Sequence, residues 1–312
     1  MRAKSLAAGV LVLGILAGWL GGCRSKEAPK AVVQQAQRGP TLPPGVLLYT
    51  SQGKLWEFRR GEPPQAIATG AVWFPAINAD GTLAAYWEDA GSQMVLMILN
   101  LVSHASVRVG EWNSLGALGR NLNLRNAPAW VPGRDALRFA DGRQIWEVEA
   151  DGTNLQTVYE QQEAGCFAVT NSPDGKHIAF VLATEHDQNL WEYSLDTHKA
   201  QPLTDYTAKD GSVGAPAWSP KGERIVYVLY KAEEANLWGI PAEGGTPTSI
   251  TKEGRTNAPS WDPTGKRMAV SSGTQNPFTW QIALVNGDDG KFVEQLTSVT
   301  AGAAAPAITG QW

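Results

Sequence analysis

From Val46 onward the chain alternates short apolar runs with turns rich in glycine, proline and aspartate. The runs favour β-branched and aromatic residues, as in His177-Ile178-Ala179-Phe180-Val181 and Arg224-Ile225-Val226-Tyr227-Val228. Short apolar runs bounded by turn residues predict strands. A second kind of stretch precedes each run. It reads WFPAINADGT from 73, APAWVPGRDA from 127, FAVTNSPDGK from 167, APAWSPKGER from 215 and APSWDPTGKR from 258. A shortened copy, APAITGQW, ends the sequence. The Pro-x-Gly chemistry of the longer stretches places a tight turn before the apolar run. After that run comes a strand centred on tryptophan: Leu55-Trp56-Glu57-Phe58, Ile145-Trp146-Glu147-Val148, Leu190-Trp191-Glu192-Tyr193, Leu237-Trp238-Gly239-Ile240 and Thr279-Trp280-Gln281-Ile282. Met94-Val95-Leu96-Met97 takes that place in the second unit. A Gly/Asp turn leads to a last strand, often ending Leu203-Thr204, Ile250-Thr251 or Leu296-Thr297.

Aligned on Pro75, Pro128, Val169, Pro216, Pro259 and Pro306, the units are spaced by 53, 41, 47, 43 and 47 residues, about 46 on average. That length suits a four-stranded propeller blade. The two ends complement each other. Val46-Leu47-Leu48-Tyr49 opens with the second-strand pattern, and Ala305-Pro306-Ala307-Ile308 is a first strand with no successor. Together they make one blade. The fold predicted is all-β, a six-bladed β-propeller whose ring is closed by a C-terminal strand completing the N-terminal blade. Closure removes exposed sheet edges. Trp56, Trp146, Trp191, Trp238 and Trp280 are expected to pack between neighbouring sheets.

The repeat xPxWSPDGxxIaF, best matched by NSPDGKHIAF, WSPKGERIVY and WDPTGKRMAV, resembles that of the TolB-type six-bladed propellers of the WD-like group. The resemblance spans residues 46–312. It implies the fold strongly and a function weakly, because the repeat serves binding proteins, peptidase accessory domains and lyases alike. TolB proper carries an α/β domain before its propeller and is soluble, whereas here a lipoprotein-like leader and a tether precede Val46.

Residues 1–22 read as a signal peptide: Arg2 and Lys4 precede an apolar stretch from Leu6 to Leu20. Leu20-Gly21-Gly22-Cys23 resembles a bacterial lipobox, which would place a diacylglyceryl group on Cys23. The apolar stretch is short for a bilayer span. Residues 23–45, polar and Pro-rich towards the end, are expected to be a lipidated, disordered tether, with the propeller at 46–312. At ~3.3 Å per extended residue the tether reaches several nanometres. With Cys23 acylated, Cys166 has no disulfide partner and is expected to be a buried thiol.

Composition narrows the partners. The 312 residues are 43% apolar and 18% charged, with 33 glycines, 19 prolines and 13 tryptophans, as many short strands require. The net charge of −4 becomes −6 without the leader, which disfavours nucleic acid. Four histidines and two cysteines, with no CxxC, leave little for a zinc site. No GxSxG elbow, HExxH or GxxxxGK[ST] occurs.

Surface recognition remains. In a propeller the loops joining strands two and three share a face with the blade-to-blade connections. Glu88, Asp89, Glu185, His186, Asp187, Glu233 and Glu234 fall there and make it mostly acidic. The long connection after the second unit carries Trp112, Leu115, Leu118, Leu122, Leu124 and Arg125, a candidate docking patch if it does not pack back on its own blade. The expectation is an exported, lipid-anchored, monomeric propeller in the bacterial cell envelope, facing the periplasm or the outside. It binds an envelope protein or peptide, with a lipoprotein among the options, and uses no cofactor or metal. The alternative is a metal-dependent polysaccharide lyase or lactonase, for which His186 with Glu185 and Asp187 would supply ligands.

Overall fold

The computed structural model describes residues 45–112, 127–162, 164–273, 279–297 and 304–309. Every element among them is a strand, in six four-stranded antiparallel sheets. Blade one contains β1 (Val46–Ser51), β2 (Lys54–Arg59), β3 (Gln65–Thr69) and, inside β1, the C-terminal β24 (Ala304–Thr309). Blade two contains β4 (Val72–Ile77), β5 (Leu83–Asp89), β6 (Met94–Asn100) and β7 (Ser106–Trp112). Blade three contains β8 (Ala129–Trp130), β9 (Ala136–Ala140), β10 (Gln144–Glu149) and β11 (Gln156–Glu160). Blade four contains β12 (Gly165–Asn171), β13 (His177–Ala183), β14 (Gln188–Ser194) and β15 (Lys199–Pro202). Blade five contains β16 (Ser212–Trp218), β17 (Arg224–Lys231), β18 (Glu234–Pro241) and β19 (Thr248–Ser249). Blade six contains β20 (Thr256–Trp261), β21 (Arg267–Gly273), β22 (Trp280–Asn286) and β23 (Phe292–Gln295). The pairing of Val46 with Thr309 and Leu47 with Ile308 closes the ring as the sequence pattern predicts.

The second strands are mostly apolar because both of their faces are buried, each against a different neighbour, with buried polar exceptions that include Arg138 in β9 and Ser271 in β21. In β17, Ile225, Tyr227 and Leu229 pack towards blade four, while Val226 and Val228 pack towards blade six. In β5, Leu83, Ala85 and Trp87 meet blade three, and Ala84 and Tyr86 meet blade one. The core is therefore six apolar clusters, one at each blade interface.

The tryptophans of the third strands lie at the blade interfaces, where Trp56, Trp146, Trp191 and Trp238 pack against the apolar clusters. Trp56, Trp146, Trp191, Trp238 and Trp280 are half-buried. Blades diverge away from the axis, so these rings bridge the widening gap and keep an edge in solvent. The fully buried large rings are Phe74, Trp87, Phe139, Phe180 and Tyr227. Cys166 is buried, as expected, and burial pushes its thiol up to about 12. His104 stands in the turn before β7.

The Leu-Thr pairs lie just beyond the fourth strands and fasten them. The Thr204, Thr251 and Thr297 hydroxyls accept hydrogen bonds from the backbone N–H of Leu190, Leu237 and Ile282, each at 2.9 Å. Each hydroxyl then donates to an amide oxygen one residue earlier, on Asn189 (2.9 Å), Asn236 (3.5 Å) or Gln281 (2.9 Å). The connection to the next blade is thereby latched to the third strand.

Candidate functional site

The turn between first and second strands is built identically in five blades. A backbone N–H closes each turn: Gly81 onto Asn78, Arg134 onto Val131, Gly175 onto Ser172, Gly222 onto Ser219 and Gly265 onto Asp262. Those turns, with the third-to-fourth-strand turns, form one face of the ring, here the turn face. The second-to-third-strand loops and blade connections form the opposite, loop face.

The first strands line the axis, and they are not regular. Phe74, Ala168, Ala215 and Ala258 have φ of 48°, 52°, 46° and 54°, and strand register shifts across each of them. These are bulges with a left-handed non-glycine residue, immediately before Pro75, Val169, Pro216 and Pro259. Between the bulges and the turn face lies an axial cavity of about 690 Å³. Its wall holds Pro75, Pro128, Pro216 and Pro259 with the edges of Trp130, Trp218 and Trp261. The volume falls in the range of small-ligand and peptide-end pockets.

Hydrogen bonds link the inner strands all the way round. Trp130 Nε1 donates to Ala76 O (3.3 Å), and Asn171 Nδ2 donates to Trp130 O (3.0 Å). Trp218 N donates to Thr170 Oγ1 (3.2 Å), and Trp261 Nε1 donates to Ala217 O (3.2 Å). Ile308 N donates to Ser260 Oγ (3.4 Å), and Thr309 Oγ1 donates to Ala79 O (3.5 Å). The wall is thus preorganised, which lowers the ordering cost of binding.

At the turn-face mouth stand Asp80, Arg134 and Asp135. Burial, then the nearby Asp80 and Glu149 charges, raise the Asp135 carboxyl above its usual range. Arg134 reaches Glu147 (2.9 Å) and Glu149 (2.6 Å). Behind it the buried Arg138 binds Glu147 (2.8 Å) and Asn171 Oδ1 (2.8 Å), joining blade three to blade four. Burial opposes the Glu147 charge, but Arg138 and Arg134 outweigh it and hold the carboxyl below its usual range.

The residues singled out from sequence divide. Glu185, His186 and Asp187 share one turn on the loop face, Glu233 and Glu234 the next blade's turn, and Glu88 and Asp89 the end of β5. None of them lines the axial cavity. Trp112 is corrected from a docking residue to a core residue: it is 7% exposed and packs edge-on against Phe139 (4.6 Å) and Trp87 (5.6 Å). Leu115, Leu118, Leu122, Leu124, Arg125 and the lipidation residue Cys23 lie outside the described residues. Among the described residues no three His, Cys, Asp or Glu side chains group as metal ligands. The sequence pattern does not disclose the cavity, because the first proline of each unit serves there only as the point of alignment.

Comparison with known proteins places this geometry. The family profile described as the TolB beta propeller domain matches residues 142–309. No curated protein matches by sequence. Among solved structures, TolB from Acinetobacter baumannii is similar with a TM-score of 0.68 and 16% identity, over 89% of this chain and 70% of that one. A candidate TolB from Agrobacterium tumefaciens is similar with a TM-score of 0.63 and 15% identity, over 86% and 94%. An oligogalacturonate lyase in complex with manganese is similar with a TM-score of 0.53 and 14% identity, over 85% and 75%. At such identities the likeness extends to fold alone.

Proposed function

Since this chain belongs to the TolB beta propeller domain family, we propose that it is a non-catalytic binding module, exported and held in the cell envelope by a lipid on Cys23. Its partner is a protein or peptide segment that enters the axial cavity. The observation that supports this reading is the cavity itself. Proline and tryptophan edges offer apolar contact, and the mouth carboxylates Asp80 and Asp135 beside Arg134 offer ends for polar recognition. The fixed inter-blade hydrogen bonds make the wall rigid. Such a site selects a peptide by shape and end chemistry without any reacting group.

The test is photo-cross-linking in intact source cells. Benzoylphenylalanine replaces Pro173 or Pro220 at the cavity mouth, or Glu185 or Glu233 on the loop face. A saturable adduct with one envelope protein from the mouth positions is expected. Adducts from the loop face alone would move the partner to the acidic loops. If all four positions are silent and the purified protein holds stoichiometric divalent metal that His186→Ala removes, the lyase alternative replaces this reading. Intact mass of the mature N-terminus tests the lipid separately.

A further inference from the structure

The tether joins the propeller at a defined place. Val46 pairs with Arg59 and Thr309, the last residues of their strands, so Gly45 emerges on the turn face of blade one. Blades two and six flank blade one.

The described residues contain three exposed large hydrophobics: Phe292 (65%), Val102 (51%) and Val293 (41%). All three lie on or beside the turn face, and all in the flanking blades. Val102 occupies the third-to-fourth-strand turn of blade two. Phe292 and Val293 begin β23 of blade six, directly after the corresponding turn. Pro63 and Pro64, also exposed, occupy the equivalent turn of blade one. Apolar residues normally scatter singly over a surface, so their confinement to one arc around the tether's exit points to an interaction surface.

Cations adjoin the arc. Val293 lines a groove of about 470 Å³ between blades five and six with Lys221, Lys266 and Arg267. Arg224, in the same groove, is committed to Asp288 Oδ1 (2.8 Å) and Gly287 O (2.7 Å) and lies over the Trp261 ring. Lys221, Lys266 and Arg267 form no ion pair among the described residues. In total the groove sets four cations against two carboxylates. On the opposite face Glu185, Asp187, Glu233 and Glu234 would repel an anionic surface.

We propose that the turn-face rim of blades six, one and two docks on the surface of an anionic phospholipid bilayer. Phe292, Val293, Val102 and the Pro63-Pro64 turn sit at the headgroup level, and the blade five/six groove receives lipid phosphate. The proposal rests on the lipid-anchor reading, because the tether's origin brings this rim to the membrane. The contact is one-sided. Blades three and four are raised, and the mouth of the axial cavity stays open towards them.

The test uses the full lipidated chain in vesicles of phosphatidylglycerol and phosphatidylethanolamine. Val102→Cys, Phe292→Cys and, on the opposite face, Glu185→Cys are labelled with an environment-sensitive fluorophore. Buried Cys166 does not take the label. At positions 102 and 292 the expected result is blue-shifted emission and at least twofold quenching by brominated lipid, with neither at 185. The double variant Phe292→Glu/Val293→Glu is expected to abolish the shift at 102. Equal signals at all three positions overturn the docking surface. A shift that grows with protein concentration in the absence of vesicles identifies a second copy of the chain on the rim and also overturns it. If intact mass shows Cys23 without lipid, the anchor reading fails by itself. The same variants carrying Cys23→Ser, labelled and added to the same vesicles, then decide: signals at 102 and 292 sustain the docking rim, and silence overturns it.

Discussion

Replacing Thr297 by valine keeps the shape of the side chain and removes one hydroxyl. That hydroxyl accepts from Ile282 N at 2.9 Å and donates to Gln281 Oε1 at 2.9 Å, in a site where Thr297 and Gln281 are both buried. Valine leaves the Ile282 N–H and the Gln281 oxygen without those partners. A buried polar group left unsatisfied costs about 1–3 kcal/mol, so the two together cost about 3 kcal/mol. The equivalent change at Thr251 is milder. Its bond to Asn236 is 3.5 Å long, and Asn236 Oδ1 keeps its bond from Gly254 N (2.9 Å). Only the Leu237 N–H is stranded, for about 1–2 kcal/mol. Thr204→Val falls between them, because Asn189 Oδ1 retains the Tyr206 N–H at 2.7 Å.

Urea unfolding followed by tryptophan fluorescence reads the three variants. With a slope of about 3 kcal/mol/M, Thr297→Val should lower the midpoint by about 1 M, and Thr251→Val by about half that. Thr297→Ser keeps the hydroxyl and loses one methyl group, about 0.8 kcal/mol. If Thr297→Val matches Thr251→Val, or if the serine variant is as damaged as the valine variant, the latch does not fasten the blade connection and its repetition is incidental.

Other outcomes follow from the same geometry. Arg138→Met leaves the buried Glu147 with Arg134 and a long hydrogen bond from Gln156 Nε2 (3.5 Å), and should cost about 3 kcal/mol near neutral pH. Because the Glu147 carboxyl is held below its usual range, its pairing stabilises the fold above that range and is lost as pH falls through the depressed value. The gap between wild type and Arg138→Met in urea should therefore narrow on acidification, and a gap that widens would refute the pairing. Gly211→Ala places a Cβ 2.5 Å from Tyr230 O at a φ of +129°, and should lower the melting temperature by several degrees, read by calorimetry. Phe139→Ala opens the buried cluster it shares with Trp87 and Trp112 and should cost about 3–5 kcal/mol in urea. Cys166 should be inert to a thiol reagent at pH 8 and react fully once urea has unfolded the chain, since burial and then Asp141 raise its thiol to about 12.

The architecture was legible because a propeller repeats its local chemistry. Five copies of one turn, six of one doubly buried strand and five of one tryptophan strand set the period, and the unmatched halves at Val46 and Ala305 indicated closure. What failed to show was anything determined by distance from the axis. The same Trp-centred motif that marks the third strand says nothing of how far blades have diverged there, so Trp56 and Trp238 read as core and are half-buried. Trp112 reads as a loop residue by its place beside a long connection, yet its partners Trp87 and Phe139 come from two different blades.

The candidate sites were harder still, for a related reason. Charged loops attract attention in a sequence because charge is visible there, and so Glu185, Asp187 and Glu233 stood out. The axial cavity depends on backbone bulges at Ala168, Ala215 and Ala258, small residues whose left-handed φ no composition reveals. The apolar arc depends on where a tether leaves a ring. Val102 and Phe292 lie 190 residues apart, in a turn and at the start of β23, in blades that become neighbours of blade one only after the last strand has closed the circle. A ring places its own ends on a face. In this chain Val46 and Thr309 meet on the turn face, so the start of β1, the mouth of the axial cavity and the exposed hydrophobics all share one side of the molecule. The proposed anchor and the proposed binding site are then not independent features. The lipid proposed on Cys23 would hold the cavity mouth close to the membrane and leave the acidic loops facing away from it.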